Sequence, residues 1–160
     1  MTSIVSYGFS NGKNPRRMAS PTNREDICMP SITLKLSGPR NSELGQHAIA
    51  AINRLTAEIL GKQPELMATT LQYIAAEDWF IAGQPLSQAG GSAFHLDISI
   101  TDETNTKKEK ALFLLEVHAA MRALLPDLHE VSYVHLIDAR AAAYGYGGRT
   151  QEWRHQQQGV

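Results

Sequence analysis

The sequence predicts an α/β (α+β) protein made of two β-α-β units in tandem, with four strands in one sheet and two helices on one of its faces. Three observations predict it: two short alternating apolar stretches, a helical apolar stripe after each, and an internal offset of 65 positions that superimposes the two halves. That offset aligns Ile49 with Leu114, Ile52 with Val117, Ile59 with Leu124, Trp79 with Tyr144 and Gly83 with Gly148.

Each element follows from its own residues. Ile32, Leu34 and Leu36 alternate with Ser31, Thr33 and Lys35, the pattern of a half-buried strand, and Gly38-Pro39 ends it. Asn41 or Ser42 can cap a helix. Leu44, Ala48, Ile52, Leu55 and Ile59 then recur at three- and four-residue spacing, and Gly61 supplies a C-terminal stop. Thr69–Ala75 reads as the second strand, with Leu71 and Tyr73 alternating. A loop with Trp79, Gly83, Gly90 and Gly91 follows.

The second half repeats the plan. Phe94, Leu96, Ile98 and Ile100 alternate with His95, Asp97 and Ser99. Thr106-Lys107-Lys108-Glu109 is a capping box, and Leu114, Val117, Met121 and Leu124 form the stripe of the helix it opens, closed by Pro126. Val131–Ile137 is the fourth strand, and Gly145–Gly148 reads as a turn or short hairpin, not a phosphate loop, because no helical pattern follows it. Helical crossovers imply parallel strands within each half. Two helices cover one face only, so the other, carrying apolar groups such as Tyr133 and Trp79, is expected to be buried by closed self-association.

Composition narrows the function classes. Of 160 residues, 42% are apolar, enough for one core, and 15 basic against 16 acidic residues give a net charge of −1. A nucleic-acid or membrane-surface binder needs a basic excess that this chain lacks. Ala48–Ile52 and Ala111–Leu115 are too short to cross a bilayer. The single cysteine, Cys28, leaves no internal disulfide and no cysteine-based zinc site, which suits a cytoplasmic protein. His95 with Asp97, and His135 with Asp138, lack metal-site spacing on a helix, so no metal is expected.

Residues 1–29 differ from the rest. They mix Ser, Asn, Gly, Pro and Arg without any period, and read as a disordered extension, a tag or a misassigned start. Residues 30–160 form the folded domain, with units 30–91 and 92–160.

Pro30 follows Met29 directly and opens the first strand, and Pro39-Arg40 follows that strand. With the doubled β-α-β plan, Gly61-Lys62 after the first helix, and aromatic-plus-glycine turns at 79–83 and 144–148, these features resemble the 4-oxalocrotonate tautomerase superfamily. That superfamily includes macrophage migration inhibitory factor, and the length of 30–160 is similar to its fused, two-unit members. The resemblance implies a cofactor-independent keto–enol tautomerase, a homotrimer, in which Pro30, once freed of the residues before it, is the amino-terminal base. A free proline is a secondary amine. An apolar pocket and nearby cations lower its pKa, and the neutral amine can move a proton beside a carbonyl.

The resemblance also implies substrate-binding roles. Arg40 would hold a carboxylate, or is a solvated residue before a helix. Lys62 would lie by the pocket, or is a cation at a helix C-terminus. Tyr133 and His135 point the same way from strand four and would face the proline of a neighbouring subunit, donating to an enolate oxygen, or pack an interface. Trp79, like Tyr144, would form a pocket floor or pack the core. The sequence departs from the family where Ala68–Gln72 carries no arginine, where Thr101–Thr106 carries no arginine pair, and where Leu66 stands near the place of a water-activating carboxylate. Those departures disfavour hydratase, dehalogenase and decarboxylase chemistry. They favour a small 2-oxo or 2-hydroxy-enoic monoacid, such as an arylpyruvate. The alternative is a non-catalytic trimeric binding or assembly protein on the same fold, with Pro30 blocked by the extension.

Overall fold

Ile32, Leu34 and Leu36 are fully buried while Ser31, Thr33 and Lys35 are not, and this alternation makes β1 (Ser31–Ser37) the centre of the architecture. The computed structural model describes residues 29–157. The extension expected over residues 1–29 lies, apart from Met29, outside the described residues.

Helix α1 (Ser42–Leu60) starts where Asn41 accepts a hydrogen bond from the Leu44 amide at 3.1 Å. It stops at Gly61, whose φ of 66° is the left-handed conformation a C-terminal stop requires. The chain returns through a 3-10 turn to β2 (Ala68–Ile74), which pairs in parallel with β1. A hairpin, β3 (Phe80–Ile81) with β4 (Gln84–Pro85), and the short α2 (Leu86–Ala89) complete the first unit.

The second unit copies this order. β5 (Phe94–Thr101) leads to α3 (Lys107–Leu124), opened by the expected capping box of Thr106 and Glu109. β6 (Tyr133–Ala139) pairs in parallel with β5. The glycine-rich segment is a hairpin, β7 (Gly145–Tyr146) with β8 (Arg149–Thr150), followed by α4 (Gln151–Gln157). The offset of 65 carries β3 onto β7 and β4 onto β8 without a slip. Lys110 Nζ clasps both Asp138 oxygens at 2.7 Å and ties α3 to β6.

The units join by antiparallel pairing of β1 with β5, so the sheet order is β2-β1-β5-β6. α1 and α3 pack side by side on one face. The core between them and the sheet contains Leu34, Leu36, Ile52, Leu96, Ile98, Phe113, Val117 and Met121. Gly45 is needed here: a Cβ would collide with the Tyr73 hydroxyl and with Leu71 Cδ2. That hydroxyl donates to the Asn41 carbonyl at 2.6 Å, fixing the helix start against β2.

Three expectations are corrected. The stretch after 145–148, read as carrying no helical pattern, forms α4, whose 7 residues are too few to show an apolar stripe. The α3 stripe runs through Phe113, Val117 and Met121, while Leu114 is 38% exposed. Phe113, Leu114 and Leu115 are consecutive, so which of them turns inward is set by how the helix is rotated against the sheet. The open sheet face is also more polar than expected. It presents Thr33, Lys35, His95, Asp97, Ser99 and His135, with Tyr133 and Ile137 toward its β6 edge, while Trp79 lies at the first hairpin. Among the described residues no helix is long and apolar enough to cross a membrane, and no cluster of His, Cys, Asp or Glu could hold a metal ion.

Candidate active site

The site is built at the head of β1. Pro30 is buried there, beside a cavity of about 180 Å³ lined by Met29, Ser31, Ala68, Tyr144, Tyr146 and Gln151. Topology puts those residues together. Because β1 and β5 run antiparallel, the head of β1 lies beside the end of β5, and parallel β6 ends there too. The β7–β8 hairpin that follows β6 therefore falls over Pro30. Gly145 lets it close: a Cβ there would collide with the Arg149 carbonyl oxygen.

Polar contacts hold the walls. The Tyr144 hydroxyl and Thr101 Oγ1 share a hydrogen bond of 2.5 Å. The Gln151 amide donates to the Tyr144 carbonyl at 3.0 Å. Arg154 donates from Nη2 to the Tyr146 carbonyl at 2.9 Å and stacks over the Tyr146 ring at 3.7 Å. Its Nε is buried and has no hydrogen-bond partner among the described residues.

Lys62 stands at the same end of the sheet. It is only 4% exposed, and its Nζ donates to Thr104 Oγ1 at 3.0 Å. It does not line the Pro30 cavity, so its first role is to clip the end of α1 to the turn after β5. Two cations, Lys62 and Arg154, thus sit around the Pro30 end.

The other expected residues lie elsewhere. Arg40 is exposed beyond the far end of β1, a strand length of about 20 Å from Pro30. Tyr133 opens β6 at that far end, and Trp79 stands at the first hairpin, over the start of β5. Both line a larger cavity of about 450 Å³ with Lys35, Asp78, Phe80 and His95. His135 lies nearby, its Nδ1 at 3.4 Å from Asp97 Oδ1, and His95 Nε2 reaches the same oxygen at 3.1 Å. Within one chain, then, the structure groups Trp79 with Tyr133, and places none of Arg40, Lys62, Trp79, Tyr133 and His135 in the lining of the Pro30 cavity.

Tyr146, Gln151 and Arg154 were not singled out by the sequence. The repeat offers a signal for the first two, because the offset that aligns Trp79 with Tyr144 also aligns Ile81 with Tyr146 and Leu86 with Gln151.

No family model matches the sequence, and no curated protein matches it. Solved structures do match. A native fused 4-OT gives a TM-score of 0.67 at 14% identity, over 77% of this chain and 97% of that one. A wild-type fused 4-OT solved as a symmetric trimer gives 0.65 at 16% identity, over 76% and 96%. A malonate semialdehyde decarboxylase inhibited by 3-bromopropiolate gives 0.61 at 12% identity, over 81% and 98%. The chain has the tautomerase-superfamily fold. Within that fold it takes the fused, two-unit form, spanning nearly the whole length of each of these structures. Identity this low establishes the fold, and the chemistry has to be read from the site.

Proposed function

We propose that this chain is a cofactor-independent keto–enol tautomerase acting on a small 2-oxo or 2-hydroxy-enoic monocarboxylic acid, with Pro30 as general base after removal of residues 1–29. One observation carries the reading: Pro30 is buried at the head of β1 against a cavity walled by Tyr144 and Tyr146. In that setting a free secondary amine is stripped of water and has Lys62 and Arg154 at its end of the sheet. Both effects favour the neutral amine. The neutral amine takes the proton from the substrate's enol oxygen or α-carbon and returns it to the other position, and the proline ring fixes the direction of its lone pair. In the one-chain site, Arg154, stacked on the Tyr146 ring that walls the cavity, is the cation that would favour a carboxylate, while Lys62 stands outside the cavity. Within one chain Arg40, Trp79, Tyr133 and His135 do not reach the Pro30 cavity.

We further propose that the chain works as a homotrimer. Its polar open face and a β6 edge unpaired among the described residues suit closure by other copies, and one of the fused 4-OT structures with this fold is a symmetric trimer. The same fold also carries a decarboxylase. No arginine pair follows β5 in this chain, which favours proton transfer over decarboxylation.

The test compares the full-length chain with one cut to begin at Pro30, each assayed for phenylpyruvate ketonisation. The cut chain is expected to be active, and Pro30→Ala in it to lower kcat/KM by about 10² to 10⁴-fold. A cut chain without activity, or one indifferent to Pro30→Ala, rejects the reading and leaves a binding protein on this fold.

A further inference from the structure

The internal repeat duplicates not only strands and helices but also the pocket. The offset of 65 carries the walls of the large cavity onto those of the Pro30 cavity: Trp79 onto Tyr144, Phe80 onto Gly145, Ile81 onto Tyr146. Read in the other direction, Tyr133 falls on Ala68. The strands β5 and β1 are in phase one position earlier, so His95 takes the place of Ser31, and fully buried Phe94 takes the place of Pro30. The second pocket therefore keeps the architecture of the first, lies at the opposite end of the sheet, and has Phe94 where the first has its proline.

Its lining points to a ligand. Trp79, Phe80, Tyr133 and His95 supply flat rings, and Ile74, Ile81 and Val131 close the apolar sides. At about 450 Å³ it is the larger of the two cavities, within the range of small-molecule sites. Lys35 is the cation in it. Its Nζ is 3.7 Å from Asp97 Oδ2, too long for a good hydrogen bond, and three donors on an ammonium leave capacity for a second partner. Asp78, also in the lining, opposes a second negative charge. A planar ring, one carboxylate and no more is the chemistry that fits.

We propose that this second, proline-less pocket is a binding site for planar aromatic monocarboxylates, with Lys35 holding the carboxylate and Trp79, Phe80 and Tyr133 holding the ring. It is complete in one chain and independent of whether Pro30 is a free amine.

The test uses the full-length chain carrying Trp153→Phe, in which Trp79 is the one remaining tryptophan of two and so reports on this end alone. Titration with trans-cinnamate is expected to change Trp79 emission saturably, with one site per chain. Lys35→Met should weaken binding about tenfold, the effect of losing one charge-assisted hydrogen bond. Lys35→Arg should retain it, and equal melting temperatures for the two variants separate this from a folding defect. Cinnamyl alcohol, without the charge, and homophthalate, with two, should each bind about tenfold more weakly. Absence of saturable binding, binding that leaves Trp79 emission unchanged, or equal affinities for wild type and Lys35→Met would each overturn the proposal. None of these results depends on ketonisation activity, so the two readings stand or fall separately.

Discussion

Glu109 Oε2 accepts hydrogen bonds from the Thr106 amide at 2.7 Å and the Thr106 hydroxyl at 3.0 Å, while the Glu109 amide donates back to that hydroxyl. The amide bond is the main reason the Glu109 carboxyl titrates below its ordinary 4.5; partial burial opposes the shift. A carboxyl with a depressed folded-state pKa stabilises the fold above its unfolded value, and the contribution is lost as pH falls through the folded value. Stability of the domain should therefore decline as the pH drops below about 4.5, and Glu109→Gln should flatten that part of the profile. Melting temperatures of the two proteins between neutral and acidic pH measure this. The group is at an exposed helix start, so the effect is small. Thr106→Ala, which removes the cap itself, should cost about 1 kcal/mol in a urea titration. The same box was legible from Thr106 and Glu109 alone, since capping is a local interaction.

The β7–β8 hairpin is the element on which the Pro30 site depends. Gly145 approaches the Arg149 carbonyl too closely to admit a methyl group, so Gly145→Ala must open the hairpin and move Tyr144 and Tyr146. In the chain beginning at Pro30, kcat/KM for phenylpyruvate should fall about 10²-fold, as displacement of a pocket wall by about 1 Å does. Overpacking should also lower stability by about 1–3 kcal/mol. Undiminished activity in a folded Gly145→Ala chain would show that the hairpin does not shape the site. Hairpin and glycines were readable from 145–148. That they sit over Pro30 was not, because contact between residues so far apart in sequence depends on how the two units pair.

For the whole molecule, the decisive feature is the open sheet face. Tyr133 is 62% exposed on β6, Ile137 lies along the same strand, and among the described residues the outer edge of β6 has no partner strand. An unpaired edge beside apolar side chains favours association with further copies. Sedimentation should give the mass of three chains, and Ile137→Asp should shift it toward a single chain without a change in helical circular dichroism. A wild-type chain sedimenting as a monomer would remove the trimer from the functional reading and leave each chain with its two separate pockets.

Spacing within a few residues specifies the order of the four sheet strands and the two long helices, the caps at Gly61 and Thr106, the strand faces of β1 and β5, and the duplication of the units; it leaves Asn41 and Ser42 both open at the start of α1 and does not reveal the first hairpin or α4. The sequence also marks Pro30 as the head of a strand. Three further points depend on how the elements pack. Phe113, not Leu114, enters the core, since helix rotation is set by the sheet beneath it. The open face is lined by Lys35, His95, Asp97 and His135, since strand order brings them side by side. Above all, antiparallel pairing of β1 with β5 lays each unit's hairpin over the other unit's first strand. That crossing joins Tyr144 to Pro30 and Trp79 to His95, and no local periodicity carries it.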